Sequence, residues 1–297
     1  MKTDNVIKWA LFLALCLIWG SSFKLMEESA SIINPQRLAA LRIFSAAAVF
    51  LPFALFHIGS IPREKLGLVA LNGIIGNLLP AFLFAYALND PAITGPMGGI
   101  LNALTPLSVV LIAIAFYKDR VAIHKLIGIG IGLIGLILLT LLPVIRDHAE
   151  MTMARLLPTL CILSATILYG INVNLVGHKL QGIEPIRLAT VSLGLMIIPT
   201  TACLFYFDFF SLPFQDTDVQ MAIWKGSGLG IAGSAIATVI FYSLLQRAGG
   251  LFASLVTYGI PVVAVIIGWL DHITIDPIQI VCLGIILSGV YLVTKKA

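Results

Sequence analysis

Long apolar stretches separated by short polar connections run through the whole chain. Each stretch is about 20 residues long, the length that an α-helix needs to cross the ~30 Å hydrocarbon core of a bilayer. No connection is long or polar enough to form a separate soluble domain. The pattern predicts an all-α integral membrane protein with ten transmembrane helices. The predicted helices cover residues 8–27, 36–56, 65–87, 94–117, 123–142, 154–175, 185–207, 223–245, 250–270 and 275–294.

The composition agrees with a membrane protein. Hydrophobic residues form 59% of the 297-residue chain and charged residues only 11%, which leaves too little polar surface to coat a soluble globule. Mean hydropathy is +1.04. The cysteines stand singly within apolar stretches, without the spacing of a metal site or a redox pair. We therefore expect no cofactor and no metal ion.

The apolar pattern occurs twice along the chain. Segments 19–20 and 35–39 recur as segments 169–170 and 185–189, at an offset of 150 residues. Each copy contains five predicted helices, and this odd number makes the second copy enter the bilayer from the opposite side. The sequence therefore predicts two inverted five-helix repeats. The predicted repeats are residues 1–147 and 148–297.

Further matches carry the repeat through the later helices. Segment 73–76 recurs as segment 230–233, and Pro106 recurs as Pro261. Inverted repeats are related by a two-fold axis in the membrane plane, so the arrangements open to either side are near mirror images. The repeat therefore favours alternating access around a site between the two halves.

Four short segments carry a family resemblance, at residues 19–23, 39–43, 105–107 and 118–120. In this order and spacing they resemble the EamA-type branch of the drug/metabolite transporter superfamily. That family usually has Gly-Glu-Arg where this chain has Lys-Asp-Arg at 118–120. The resemblance covers nearly the whole chain. It implies a transporter, not an enzyme, that exports amino acids or other small metabolites, and it leaves the cargo open.

Lysine and arginine are concentrated in the predicted loops of one side. Such residues are retained on the cytoplasmic side during insertion, so both termini are expected to be cytoplasmic in a multi-pass protein of a bacterial-type inner membrane. This bias also accounts for the net charge of +4, and no nucleic-acid partner is expected. The expected partners are membrane lipid and a small-molecule substrate. The basic residues include Lys2, Lys8, Arg63, Lys65, Lys118, Arg120, Lys125, Lys179, Arg247, Lys295 and Lys296.

Arg42 and Lys24 are candidate cations for a substrate site. A charge inside a span is costly, on the order of 3 kcal/mol for arginine at mid-membrane, and is usually retained for a reason. Arg42 could anchor a carboxylate or phosphate through its planar fork, or form an ion pair with Glu27 or Glu28. Lys24 could pair along its own helix with the same glutamates. This group is also the candidate for proton coupling.

Polar residues also occur at matching places in the two copies. Ser22 and Lys24 in the first predicted helix correspond to Asn172 and Asn174 in the sixth. Matching polarity at symmetry-related places is typical of a cavity at the repeat interface, although helix-to-helix hydrogen bonds explain such residues as well.

Amides and aromatic residues complete the predicted substrate site. Asn77 and Asn102 could orient a cargo by hydrogen bonds, while Trp19, Tyr169 and Tyr258 could form apolar walls. The ten predicted substrate-binding residues are Trp19, Ser22, Lys24, Arg42, Asn77, Asn102, Tyr169, Asn172, Asn174 and Tyr258.

Two further pairings follow from the repeat. Tyr86 and Tyr242 are interpreted as equivalent, either as gates of a cavity or as part of an interfacial aromatic belt. Small residues of the fifth helix, among them Gly128, match Gly284 and Ser288 of the tenth. They predict close helix packing within one chain or at a homodimer interface, so monomer and homodimer both remain open.

The sequence as a whole favours a secondary active transporter, most favourably an amino-acid or metabolite exporter that uses protons or a counter-substrate. The chain has no nucleotide-binding motif for ATP-driven pumping. One alternative is an importer or exchanger of a nucleotide-like or other anionic metabolite. An alternative from another class is a membrane-embedded lipid-modifying enzyme, which the scattered histidines disfavour.

Overall fold

The computed structural model describes residues 2–88, 101–146, 156–270 and 277–294. These residues form helices, joined by short turns where the connection is described, and contain no β-strand. Six of the described helices are long and apolar enough to cross a membrane, and four further apolar helices are shorter. The chain is therefore an all-helical integral membrane protein, and the total of ten spans stays a prediction.

The helices are numbered α1 to α10 in chain order. In the first half they are α1 (Lys2–Ile33), α2 (Pro35–His57), α3 (Arg63–Leu88), α4 (Thr105–Tyr117) and α5 (Ile123–Arg146). In the second half they are α6 (Leu156–His178), α7 (Pro185–Gly194 and Ile197–Tyr206), α8 (Thr217–Ala248), α9 (Gly250–Ser254 and Val256–Leu270) and α10 (Pro277–Thr294).

Most helix ends lie within a few residues of their predicted places, and α1 and α8 extend furthest beyond them. Helix α1 runs from Lys2 to Ile33, past the apolar window at 8–27, because its polar ends can continue the backbone hydrogen bonds outside the hydrocarbon core. Helix α8 begins at Thr217, where the Asp216 carboxylate caps it by accepting from the Asp218 N–H at 2.8 Å.

Two prolines inside the spans, Pro106 and Pro199, each follow an interruption of the helix. The ring lacks an N–H and clashes with the carbonyl four residues earlier. A turn at 103–104 precedes Pro106, so the continuous helix predicted for 94–117 is corrected here; residues 94–100 lie outside the described part. A similar turn divides α7 ahead of Pro199.

Two π-helical segments lie at corresponding places of the two halves, Ile74–Leu78 in α3 and Leu229–Ile236 in α8. The first precedes Pro80, and the second contains Gly230 and Gly233. A π-helical turn shifts the backbone hydrogen-bond ladder and is common at functional sites. Both segments border the cavity described below.

The helices of the two halves interlock, and their contacts occur in matched pairs. Helix α1 packs on α9 and on α8, while α6 packs on α4 and on α3. Helix α2 packs on α8, and α7 packs on α3. The remaining major contacts join α2 to α7 and α5 to α10. These contacts between the halves thus occur in matched pairs or join equivalent helices.

Close approaches between helix backbones are also matched between the two halves. A Cβ on Gly73 in α3 would overlap the carbonyl oxygen of Ser192 in α7, and a Cβ on Gly230 in α8 would overlap the carbonyl oxygen of Arg42 in α2. Only glycine leaves room for these approaches. The glycines that recur in the two sequence copies therefore make equivalent contacts.

The small residues of α5 pack against α10 within one chain. A Cβ on Gly128 would lie 2.8 Å from the Gly289 carbonyl oxygen, and a Cβ on Gly289 would lie 2.5 Å from the Gly132 nitrogen. The repeat counterparts Gly284 and Ser288, also expected to pack closely, do not, since a Cβ on Gly284 would meet no atom within 4 Å and Ser288 is exposed. The partner face is displaced by one residue to Gly289, and these glycines need no second chain.

Candidate functional site

A cavity of about 550 Å³ lies between the two halves. Helices α1, α2, α3, α6, α8 and α9 form its walls, together with the segment around Asn102 and Thr105. Pockets of a few hundred Å³ with mainly apolar walls and a few polar groups are typical of small-molecule sites. The cavity is therefore the candidate substrate site.

Equivalent positions of the two sequence copies meet in this cavity. The offset is 150 residues between α1 and α6, 157 between α3 and α8, and 155 in the segments around Asn102 and Thr257. The paired lining residues are Trp19 with Tyr169, Ser22 with Asn172, Gly76 with Gly233, Asn77 with Ser234, Ala81 with Thr238, Phe84 with Phe241, Ala85 with Tyr242, and Asn102 with Thr257.

The π-helical segment of α8 supplies a backbone acceptor to the cavity wall. The Gly233 carbonyl accepts a hydrogen bond from Trp19 Nε1 at 2.9 Å and one from Arg42 Nη2 at 3.4 Å. A carbonyl released from the regular ladder can accept side-chain donors in this way. The irregular segment thereby ties α1 and α2 to the middle of α8.

Arg42 places a positive charge in the cavity. Its Nε donates to Ser234 Oγ at 2.9 Å, and Nη1 lies 3.5 Å from Met26 Sδ. Among the charged side chains that the structure describes, no carboxylate forms an ion pair with Arg42. The alternative ion pair between Arg42 and Glu28 is not formed. The Glu28 carboxylate instead lies 2.6 Å from Lys225 Nζ.

Ser22 and Asn172 each lie over a glycine of the opposite half. A Cβ on Gly233 would lie 3.2 Å from Ser22 Oγ, and a Cβ on Gly76 would overlap the Asn172 amide. The Ser22 hydroxyl donates to the Ile18 carbonyl at 2.5 Å. Asn172 is 4% exposed, and its Oδ1 has no hydrogen-bond partner among the described residues.

Asn77 and Asn102 line the cavity and are held by threonines. Thr238 Oγ1 donates to Asn77 Oδ1 at 3.3 Å. Thr105 Oγ1 donates to the Asn102 backbone carbonyl at 2.5 Å and lies 3.4 Å from Asn102 Oδ1. Hydrogen bonds of this kind fix the orientation of the amides within the wall.

A buried polar pair closes one end of the cavity. Asn72 Nδ2 lies 2.8 Å from Tyr242 Oη, and Tyr242 Oη lies 3.1 Å from Asn72 Oδ1. Both residues are almost fully buried, and the Tyr242 ring lines the cavity. Tyr86 is 46% exposed and has no place in the cavity, so the predicted equivalence of Tyr86 and Tyr242 is replaced by that of Ala85 and Tyr242.

Two predicted substrate-binding residues lie away from the cavity. Asn174 Nδ2 donates to the Val109 and Gly170 carbonyls, both at 2.9 Å, because two residues beyond Asn172 a helix presents the opposite face. Tyr258 is fully buried and donates to the Ile129 carbonyl at 3.1 Å, on the side of α5. The side chain of Lys24 lies outside the described residues, as does that of Glu27.

The structure also brings residues into the site that the sequence prediction omitted. Ser234 holds Arg42, Thr238 holds Asn77, and Asn72 holds Tyr242. Ser234 is the repeat counterpart of Asn77 at an offset of 157 residues. Extending the glycine match between α3 and α8 by a few residues was the signal that could have found it.

The described part of the chain offers no metal centre. It contains no group of three or more His, Cys, Asp or Glu side chains placed to hold an ion, and its cysteines are free. What the site can do chemically is bind an anion at Arg42 and hydrogen-bonding groups along the amides.

Comparison with known proteins agrees with a transporter. An uncharacterized transporter of Archaeoglobus fulgidus is 22% identical to this chain, over 97% of this chain and 99% of its own length. The uncharacterized transporter YoaV of Bacillus subtilis is 24% identical over 93% of this chain and 94% of its own length. A solved crystal structure shares the fold, with a TM-score of 0.70 and 17% identity over 99% of this chain and 97% of that chain.

The family comparison follows the sequence repeat. The model of the EamA-like transporter family matches residues 7–141 and again residues 156–295, so both halves carry it. This confirms the resemblance seen in the motifs. The chain belongs to the EamA-like transporter family.

Proposed function

We propose that this chain is a secondary transporter for small polar metabolites with an anionic group, most favourably an amino acid or related zwitterion. The cargo is exported across a bacterial-type inner membrane by alternating access between the repeats at 1–147 and 148–297. The observation that most directly supports this proposal is the Arg42 guanidinium, which lies in a cavity formed by both halves.

Arg42 is suited to hold a carboxylate. A guanidinium has five N–H donors, of which three have partners among the described residues: Ser234, Met26 and Gly233. These contacts fix the plane of the fork and leave donors for a bidentate anion. None of the described lining residues is acidic, so no carboxylate among them competes with an incoming anion for Arg42.

The matched contacts of the two halves support the inverted repeat and alternating access. Equivalent glycines contact equivalent helices in the two halves. The packing found on one side of the membrane can therefore also form on the other side. Here the cavity extends along the end of α1 and the start of α2. With both termini cytoplasmic, this end faces outward, and an exporter in this state is ready to release its cargo.

Counterflow in proteoliposomes tests the proposal. Vesicles preloaded with one unlabelled compound are diluted into its labelled form, and uptake of label is measured for amino acids, other carboxylates and nucleotides. We expect saturable uptake for amino acids and none in protein-free vesicles. Uptake confined to nucleotides would replace the proposal by the anionic-exchanger alternative, which Arg42 also accommodates. A pH gradient that drives net export would identify proton coupling.

A further inference from the structure

Aromatic rings line the cavity in two pairs that the sequence repeat relates. Trp19 of α1 packs on Phe241 of α8, with ring centroids 5.6 Å apart. Tyr169 of α6 packs on Phe84 of α3, with ring centroids 6.4 Å apart. Trp19 is equivalent to Tyr169 at an offset of 150 residues, and the two phenylalanines are equivalent at an offset of 157. Each half thus contributes one ring to each pair.

The pair of Trp19 and Phe241 lies directly beside the Arg42 guanidinium. Trp19 Nε1 donates to the Gly233 carbonyl at 2.9 Å, and Arg42 Nη2 donates to the same oxygen at 3.4 Å. The indole and the guanidinium therefore meet on one backbone oxygen, and the Phe241 ring packs against that indole. A carboxylate bound to Arg42 would lie next to an aromatic surface.

The second pair also lies near this charge. Tyr169 and Arg42 are close enough to interact electrostatically, although they belong to different halves of the chain. The Phe84 ring is stacked on the Tyr169 ring, with an angle of 29° between their planes. Aromatic surface from both halves thus surrounds the place where an anionic group can bind.

The rings are held in place by their surroundings. The hydrogen bond to Gly233 fixes the Trp19 indole, and Phe84 is buried in a small hydrophobic cluster. A ring has a negative face and a positive edge, so a further ring that meets it edge-on or offset gains energy beyond the burial of its surface. A saturated side chain of the same size gains only the burial. Such walls can distinguish aromatic from aliphatic cargo.

We propose that the cavity selects carboxylates that carry an aromatic side chain, with Trp19 as the specificity-determining residue for the ring and Arg42 as the site of the carboxylate. This inference rests on the proposed function and names the substrate class of the same site. In an aromatic amino acid a single methylene group separates the ring from the carbon that bears the carboxylate. One small molecule can therefore reach the adjacent groups Arg42 and Trp19 together.

Matched ligand pairs test the inference on the detergent-purified full chain. Ligand-dependent thermal shifts give Kd for phenylalanine and 3-cyclohexylalanine, and for 3-phenylpropionate and 3-cyclohexylpropionate. The members of each pair share a carbon skeleton and differ only in whether the ring is aromatic. The saturated ring is the more hydrophobic, so burial alone would favour it. We expect the wild type to bind the aromatic member about three- to tenfold more tightly.

Two variants at one position separate the ring from its hydrogen bond. Trp19→Phe and Trp19→Leu both lack the N–H that binds Gly233, but only Trp19→Phe keeps a ring. We expect Trp19→Phe to preserve the preference for the aromatic member and Trp19→Leu to bring the ratio of Kd values close to one. Phe205→Leu is the control outside the cavity, since Phe205 is 65% exposed, and it leaves the ratio unchanged. If Trp19→Leu does not fold, Trp19→Met makes the same comparison.

The possible outcomes separate this inference from the proposed function. A wild type that binds both members equally, or an unchanged ratio in Trp19→Leu, overturns the aromatic selectivity and leaves the transporter proposal standing. A ratio lost equally in Trp19→Phe assigns the selectivity to the indole N–H and also overturns it. Counterflow of aliphatic amino acids without binding of the four ring compounds refutes this inference alone. Absent binding together with absent counterflow overturns both proposals.

Discussion

The two ends of the cavity are built from equivalent segments, 26–43 in the first half and 176–193 in the second, yet only the first borders the cavity. Ala30 lines the open end, whereas its counterpart Leu180 is 0% exposed and belongs to the main hydrophobic core. The two halves share the same helix arrangement, and one end of the cavity is closed because larger side chains pack there.

The closed end carries larger side chains and a hydrogen-bonded pair. Tyr242 and Asn72 bind each other there, and the equivalent positions at the open end are Ala85 and Leu229, which cannot form such a bond. In the proposed alternating-access cycle, a conformation that buries these groups well is favoured over its mirror arrangement. Equivalent segments of the two halves thus pack differently because a few positions differ.

The largest effect is expected at Arg42, which has no charged counterpart in the second half. The equivalent residue is Ser192, which is buried at the closed end. Arg42→Gln removes the charge from the cavity and should lower counterflow roughly ten- to hundredfold, the effect of losing a hydrogen-bonded charge. Arg37→Gln is the control, since its side chain binds the Phe207 carbonyl outside the cavity. Transport by Arg42→Gln at the wild-type rate would contradict the role of Arg42.

The next prediction concerns what the two halves share. Gly230→Ala places a methyl group on the Arg42 carbonyl and should cost about 1–3 kcal/mol of stability through overpacking. Gly73→Ala should cost a similar amount, because it meets the Ser192 carbonyl in the same way. Gly228→Ala is the control, with no atom within 4 Å of the added methyl. Chemical unfolding curves in detergent provide the comparison.

If Gly230→Ala and Gly73→Ala lowered stability by clearly different amounts, the two halves would not share the same helix packing. Alanine is a better helix former than glycine, so Gly228→Ala should not lose stability; a loss as large as that in Gly230→Ala would mean that the close approach does not set the cost.

A smaller effect is expected at the closed end. Tyr242→Phe removes the hydrogen bond to Asn72, which is worth about 1 kcal/mol, and should raise the population with this end open about fivefold. Thiol labelling of a cysteine introduced at Leu188, in a chain without its native cysteines, measures the opening. Tyr86→Phe is the control because Tyr86 is exposed. Unchanged labelling would show that packing alone closes this end.

The smallest effect is expected from the ion pairs that join α1 to α8. Glu28 meets Lys225 near the open end, and Asp4 meets Arg247 at 3.4 Å near the other. Both pairs are partly exposed, so Lys225→Met should cost less than about 1 kcal/mol, and Arg247→Met should behave alike. Unfolding temperatures at low and high salt test this; a large difference between the variants would assign the two ends different roles.

Much of the architecture could be predicted from the sequence. The positions of α2, α3 and α7 match within a few residues, and the resemblance carried by the motifs is confirmed by the family comparison. The cavity-lining residues Trp19 and Asn172 were recognised because wide or polar side chains recur at equivalent places, and Arg42 because a charge inside a span is costly.

The exceptions have a geometric cause. Asn174 and Tyr258 follow Asn172 and Thr257 by two residues and one residue, and each residue turns a helix by about 100°. Their side chains therefore reach neighbouring helices instead of the cavity. Composition cannot reveal this rotation in a membrane protein, because the lipid-facing side is as apolar as the packed side.

The sequence by itself determined that this protein is helical, lies in a membrane, contains one unit twice and belongs to its family. It did so because backbone groups in hydrocarbon must pair within each segment, which makes span length and apolar composition decisive. Only the tertiary structure decided which polar side chains meet in the cavity, that Asn172 keeps an unpaired oxygen, and which end is closed. Those properties depend on helix rotation and on contacts between residues far apart in the chain, which local sequence does not specify.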